Sequence, residues 1–220
     1  DDEISEDDPT ATKQWFIGEN TIETVIIPYG VKTINSYAFA NLTKLTKVVL
    51  PPTLERIDFG AFYGCTSLTT VEGLENVKFV NRSAFEGCAL KGNISLDSIV
   101  AIADAAFAGN RKLESITLGE GLRSVGTYAF SGNTSMKQVT VKAPVIKLGQ
   151  YAFDGCTSLR EIHFKTVDIE QCTIDDNAFD GIEPHECTLY IPQGETEAYR
   201  NHPALGKFKI VEKLINQQNQ

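Results

Sequence analysis

Apolar and polar residues follow one fixed order along most of this chain. In LTKVVL (45–50), LESITL (113–118), MKQVTV (136–141) and LREIHF (159–164) the apolar residues hold the first, fourth and sixth places. The pattern predicts a short strand with those places inside and the second, third and fifth outside. IETVIIP (22–28) and CTLYIP (187–192) extend the same column to either side, giving about eight rungs in all.

A second pattern sits between the strands. Aligned on phenylalanine, the chain reads YAFANL, GAFYGC, SAFEGC, AAFAGN, YAFSGN, YAFDGC and NAFDGI, centred on Phe39, Phe62, Phe85, Phe107, Phe130, Phe153 and Phe179. The steps are 23, 23, 22, 23, 23 and 26 residues, a period that belongs to a solenoid rather than to a compact two-domain fold. Five places before each Phe stands an aliphatic: Ile34, Ile57, Val80, Ile102, Val125, Leu148 and Ile174. That column is predicted to be buried. The residue before each Phe is Ala, which suits a bend with no room for a larger side chain. Two places after Phe come Asn41, Gly64, Gly87, Gly109, Gly132, Gly155 and Gly181, the residue types that take a positive φ at least cost.

The next column holds Cys65, Cys88, Asn110, Asn133 and Cys156, with Leu42 and Ile182 at its two ends. Cys and Asn are both compact donors. Pointing inward, they form a structural ladder that satisfies buried carbonyls in the neighbouring rung. These cysteines are therefore expected to be reduced, and an odd total of five argues against a scaffold built on disulfides. Whether Cys172 and Cys187 pair is left open.

The ends differ from the middle, as the ends of a stack must if they are not to join other molecules. Trp15 and Phe16 are expected to cover the first rung. After the last strand, GETEAYRNHPALGKF offers a short helix near 195–202, stopped by Pro203, that lays Tyr199, Leu205 and Phe208 over the open core. The segment 165–178 is longer than its counterparts, so a longer loop is expected there. The predicted organisation is an acidic disordered leader (1–13), an N-terminal capping rung (14–33), the repeats (34–186), and a closing strand with its cap (187–220).

Charge narrows the function classes. Net charge is −9, but six of the 29 carboxylates stand in the first twelve residues, so the remainder nearly balances its 20 bases. Without a basic stripe to release counterions from phosphates, nucleic acid is not an expected partner. No apolar run is long enough to span a membrane.

The repeat LxxVxLPxxLxxIxxxAFxGCxxL resembles the BspA-like leucine-rich repeat of bacterial and protozoan surface proteins, over roughly residues 15 to 212. CTLYIPQGETEAYRNHPALGKFKIVE resembles the closing unit of such proteins. The resemblance implies a mainly β fold: a right-handed leucine-rich-repeat solenoid with one long parallel sheet and a short C-terminal helix and cap. It implies a non-enzymatic, adhesin-like module at the cell surface with no catalytic residue; no cofactor is expected, and a monomer is expected. The implied partner is a host or neighbouring-cell surface or matrix protein. A glycan-binding surface lipoprotein is the alternative, and membrane contact would come only through an N-terminal lipid anchor.

Solenoids bind on the surface of their repeated strands. Here the fifth-place column reads Ile26, Val49, Glu72, Ser95, Thr117, Thr140, His163 and Tyr190, and the third-place column Thr24, Lys47, Thr70, Asn93, Ser115, Gln138, Glu161 and Thr188. The expected ligand face centres on Thr117, Thr140, His163, Tyr190, Gln138 and Glu161. It is rich in hydrogen-bonding groups and low in charge, which suits a protein or a glycan. In the glycan alternative Tyr190 and His163 form a stacking platform beside Gln138 and Glu161. The same Thr-rich columns also follow from strand preference alone.

Other chemistry is thin. His163 beside Glu161 is the one base with a same-face partner. Cys172, His185 and Cys187 fit none of the paired spacings of a zinc site, so no metal is expected. Asp154, Asp175, Asp176 and Asp180 form an acidic edge without a regular calcium loop.

Overall fold

The structure is a computed structural model and describes residues 21–144, 146–165 and 168–213. The acidic leader and the Trp15–Phe16 cover lie outside these residues. In chain order the strands are β1 (Thr24–Ile26), β2 (Thr33–Ile34), β3 (Lys47–Val49), β4 (Arg56–Ile57), β5 (Thr70–Glu72), β6 (Phe79–Val80), β7 (Lys91–Leu96) and β8 (Ala101–Ile102). They continue as β9 (Lys112–Leu118), β10 (Ser124–Val125), β11 (Gln138–Val141), β12 (Lys147–Leu148), β13 (Glu161–Phe164), β14 (Thr173–Ile174), β15 (Thr188–Pro192) and β16 (Lys209–Lys213). One α-helix, α1 (Thr196–Asn201), precedes β16. The fold is a mainly β solenoid with parallel sheets and almost no helix.

The expected single long sheet is instead divided. Its strand column forms two sheets, β1-β3-β5 and β7-β9-β11-β13-β15-β16. The break falls where the repeat is irregular. Where five other rungs place the first strand residue three after the ladder residue, as in Cys65 to Leu68, the third reads Cys88-Ala89-Leu90, one residue short, and one extra residue then stands before Ile94. The register with β9 shifts at the same place: Gly92 pairs with Leu113 and Asn93 with Ser115, which leaves Glu114 of β9 unpaired, and Gly92 stands at φ 71. A bulge disturbs the local ladder, and on the other side of β7 there is no pairing with β5.

The pattern did not show a third sheet, of seven strands running β14-β12-β10-β8-β6-β4-β2. Each of its strands is two residues long, too short to display a period, and each ends on the aliphatic five places before a Phe. Those aliphatics are buried as expected.

The turn around each Phe follows from where its N–H groups go. In most rungs alternate residues donate to the next rung: Tyr37 to Phe59 O, Phe39 to Ala61 O and Asn41 to Tyr63 O, at 2.9, 2.8 and 2.7 Å. The residues between them bond back within the turn, as Ala38 does to Asn35 O. Residues two places after Phe have the expected positive φ, from 59° at Asn41 to 73° at Gly109. A second left-handed column, two places before Phe, was not foreseen: Tyr37, Gly60, Ser83, Ala105, Tyr128 and Tyr151 lie between 53° and 57°. Both reversals turn the N–H toward the neighbouring rung.

The seven phenylalanines stack in one line, successive ring centroids 5.2–5.4 Å apart and planes within 14°. Phe208 ends the row edge-on against Phe179 at 5.9 Å, and Tyr199 of α1 is fully buried against Phe164. The helix falls where the sequence places it. The extra strand β16 pairs along the whole of β15 and was not expected.

Candidate interaction surface

Registers place the two outward columns side by side across the larger strand-column sheet. Gln138 aligns with Ser115 and Glu161, and Thr140 with Thr117 and His163. His163 in turn aligns with Tyr190, and Tyr190 with Val211 of β16. Thr117, Thr140 and Gln138 therefore form a continuous polar strip, half-buried because neighbouring side chains lie rung against rung. Gln138 Nε2 donates to Thr140 Oγ1 at 3.4 Å, and Ser115 Oγ donates to Asn93 Oδ1 at 2.8 Å.

At the C-terminal end the strip becomes a packed group. His163 Nε2 lies 2.8 Å from Glu161 Oε2. The His163 ring stacks on Tyr190 at 4.5 Å between centroids and 18° between planes. Lys213 Nζ sits over the Tyr190 ring, 3.6 Å from its centroid. Lys213 was absent from the sequence reading, because only β16 brings it there. The His163 side chain is 13% exposed. Tyr190, which the glycan alternative uses as a stacking platform, thus has His163 stacked on its ring and Lys213 Nζ above it.

Charges frame the strip. Lys47 pairs with Glu72 at 2.6 Å and Lys137 with Glu114 at 2.8 Å. Asp97 accepts from Ser95 Oγ at 2.5 Å and Lys142 Nζ at 2.9 Å, and these bonds hold its carboxyl below the usual range.

The ladder residues face the interior. Cys65, Cys88 and Cys156 donate through Sγ to Phe39 O, Phe62 O and Phe130 O at 3.0, 3.1 and 3.3 Å. Asn110 Nδ2 donates to Phe85 O and Phe107 O, and Asn133 Nδ2 to Phe107 O and Phe130 O. Burial pushes the Cys156 thiol up to about 12. All five cysteines are free thiols.

The remaining candidates are not brought together as a metal site. Cys187 is buried, Cys172 half-buried and His185 exposed, and among the described residues no cluster of three or more His, Cys, Asp or Glu can hold a metal. Asp175 Oδ1 accepts from Asn177 N, and Asp180 lies 3.9 Å from Lys207 Nζ. Among the described residues no helix is long and apolar enough to cross a membrane.

The family model described as BspA type leucine rich repeat region matches residues 10–98 and 78–205, with six copies. Among solved structures, the pneumococcal vaccine antigen PcpA is similar over 88% of this chain and 42% of its own, at 20% identity and TM-score 0.59. A leucine-rich repeat protein from Bacteroides ovatus aligns over 87% of this chain and 60% of its own, at 20% identity and TM-score 0.47. This chain thus spans less than half the length of the pneumococcal antigen. No curated protein matches.

Proposed function

The chain belongs to the BspA-type leucine-rich repeat family, and from that premise we propose that it is a non-enzymatic, adhesin-like protein-binding module of the cell surface. Its binding strip is Thr117, Thr140, Gln138, Glu161, His163 and Tyr190, extended by Lys213. The partner is an extracellular-matrix protein or a protein on a neighbouring cell.

One observation carries the choice of protein over glycan: the Tyr190 ring lies between His163 and Lys213. Stacking on sugars needs an open aromatic face, whereas protein partners are recognised by side-chain edges, amides and hydroxyls across a broad surface. The polar strip provides those groups on a rigid parallel sheet, which holds their spacing before the partner arrives.

The test is capture of purified extracellular-matrix proteins on the immobilised chain, compared with the double variant Thr117→Arg, Thr140→Arg. Both residues lie on the outer face, so the variant is expected to keep its melting temperature and lose capture. Equal capture by both proteins, or no capture by either, refutes the assignment.

A further inference from the structure

The seven-stranded sheet carries a slot on its outer surface. Its registers stack Arg56, Phe79, Ala101, Ser124 and Lys147 on five successive rungs. Arg56 lies over Phe79 from the preceding rung, its guanidinium carbon 5.0 Å from the ring centroid. On the following rungs stand only Ala101 and Ser124, neither long enough to cover the ring. At ordinary strand spacing, Phe79 and Lys147 are roughly 14 Å apart along the column. The space between them is a cleft of about 330 Å³, at the small end of ligand pockets.

The floor and rim are equally specific. Gly126 and Gly149 follow β10 and β12, and a Cβ would meet Ala103 C at 2.7 Å in one and Gly126 C at 2.8 Å in the other. Glycine there lets the rungs close up and leaves the floor free of side chains. Around it stand Asn81, Asp104, Ser124 and Lys147. Asn81 Nδ2 donates to Asp58 Oδ1 at 2.7 Å, and Asp104 Oδ1 accepts from Thr127 N at 2.7 Å. Each side chain is thereby held in place and keeps an oxygen that can accept, Oδ1 of Asn81 and Oδ2 of Asp104.

We propose that this slot binds one pyranose ring of a glycan, with the C–H face of the sugar against Phe79. Asn81 and Asp104 accept from its hydroxyls, and Ser124 and Lys147 donate to them. An open aromatic face ringed by both donors and acceptors is matched by a sugar, which is apolar on its face and polar at its edge. An aromatic side chain from a partner protein would also cover Phe79, but it would desolvate the four polar groups without pairing them, which is unfavourable for each. An anion such as phosphate would gain Lys147 and meet Asp104. This site lies on a different sheet from the protein-binding strip and stands or falls separately from it.

Saturation-transfer NMR on the full chain tests the proposal. The probes are methyl pyranosides of gluco, galacto and manno configuration and N-acetylglucosamine, with N-acetyltyrosine amide and inorganic phosphate as competing ligands. Ala101→Phe continues the Arg56–Phe79 stack into the slot, and the column already holds a Phe one rung away, so the fold should accept it. Saturation of the ring protons of at least one pyranoside is expected. It should disappear in Ala101→Phe and in Phe79→Ala, with melting temperatures kept, and persist in Thr140→Arg. No transfer to any pyranoside, undiminished transfer in Ala101→Phe, or binding of only the tyrosine amide or phosphate overturns it.

Discussion

Asn110 and Asn133 occupy equivalent ladder places but have different surroundings. In most rungs the first strand leucine or its equivalent donates back to the ladder residue, as Leu68 does to Cys65 O and Met136 to Asn133 O. The shortened Cys88-Ala89-Leu90 cannot close that turn, and Leu90 N donates to Asn110 Oδ1 at 3.1 Å instead. Asn110 is thus needed for its acceptor as well as its donors. Asn133 Oδ1 has no such donor and is buried without a partner. Asn110→Cys should therefore cost about 1–3 kcal/mol in urea unfolding, whereas Asn133→Cys should be neutral or stabilising. A second expectation concerns pH. The Cys156 thiol is raised to about 12 by burial, so between about pH 8.5 and 12 the unfolded chain ionises it while the folded chain does not. Stability is then lost as pH rises through that window, by about 1.4 kcal/mol per unit for this one group. Unfolding at pH 8 and pH 10 should show a smaller drop for Cys156→Ala than for the native protein.

At the scale of the element, six of the seven turns are held by two left-handed residues around one Phe, and the turn at Phe179 by Gly181 alone. The second is Gly in most rungs, and for Gly132 a Cβ would lie no closer than 3.8 Å to its neighbours. Space is therefore not what demands glycine there; φ 71 is. Gly132→Val should lower stability by at least about 1 kcal/mol, and Gly132→Asn by less, because Asn41 already holds the equivalent place at φ 59. Thermal melts of the two variants check the order, and equal values would contradict the assignment of strain to φ. The first left-handed column is filled by Tyr37, Ser83, Ala105, Tyr128 and Tyr151, at a cost of about 1–2 kcal/mol each. Bonds between rungs offset it, as in Tyr128 N to Gln150 O at 2.9 Å.

Over the whole molecule each rung contacts its neighbours, so stability propagates along one dimension. The C-terminal end is closed by Phe208 on Phe179, by Tyr199 on Phe164 and by β16 on β15. Phe208→Ala removes the buried ring that ends the aromatic row, at about 3–5 kcal/mol. Its effect should be graded: amide exchange should quicken in β13, β15 and β16 and remain near native in β3 and β5. Uniform acceleration would show that the stack unfolds as one unit.

The sequence by itself determined the period, the Phe row, the buried aliphatic column, the second left-handed turn residue and the short helix before the last strand. Each follows from a local requirement repeated often enough to be seen as a column: a side chain that must be apolar, or a φ that excludes most residues. The outward columns with Thr117, Thr140, His163 and Tyr190 were legible for the same reason, since a strand alternates its faces. Tertiary structure alone decided the rest. The two-residue strands have no period to read, and Tyr, Ser and Ala do not announce a positive φ that only bonds between rungs enforce. The division of the sheet falls at the rung whose repeat is shifted by one residue at Leu90, a shift too small to break the pattern in the sequence. Lys213 reaches Tyr190, and Ala101 opens the slot beside Phe79, only because rungs distant in sequence stack one strand apart.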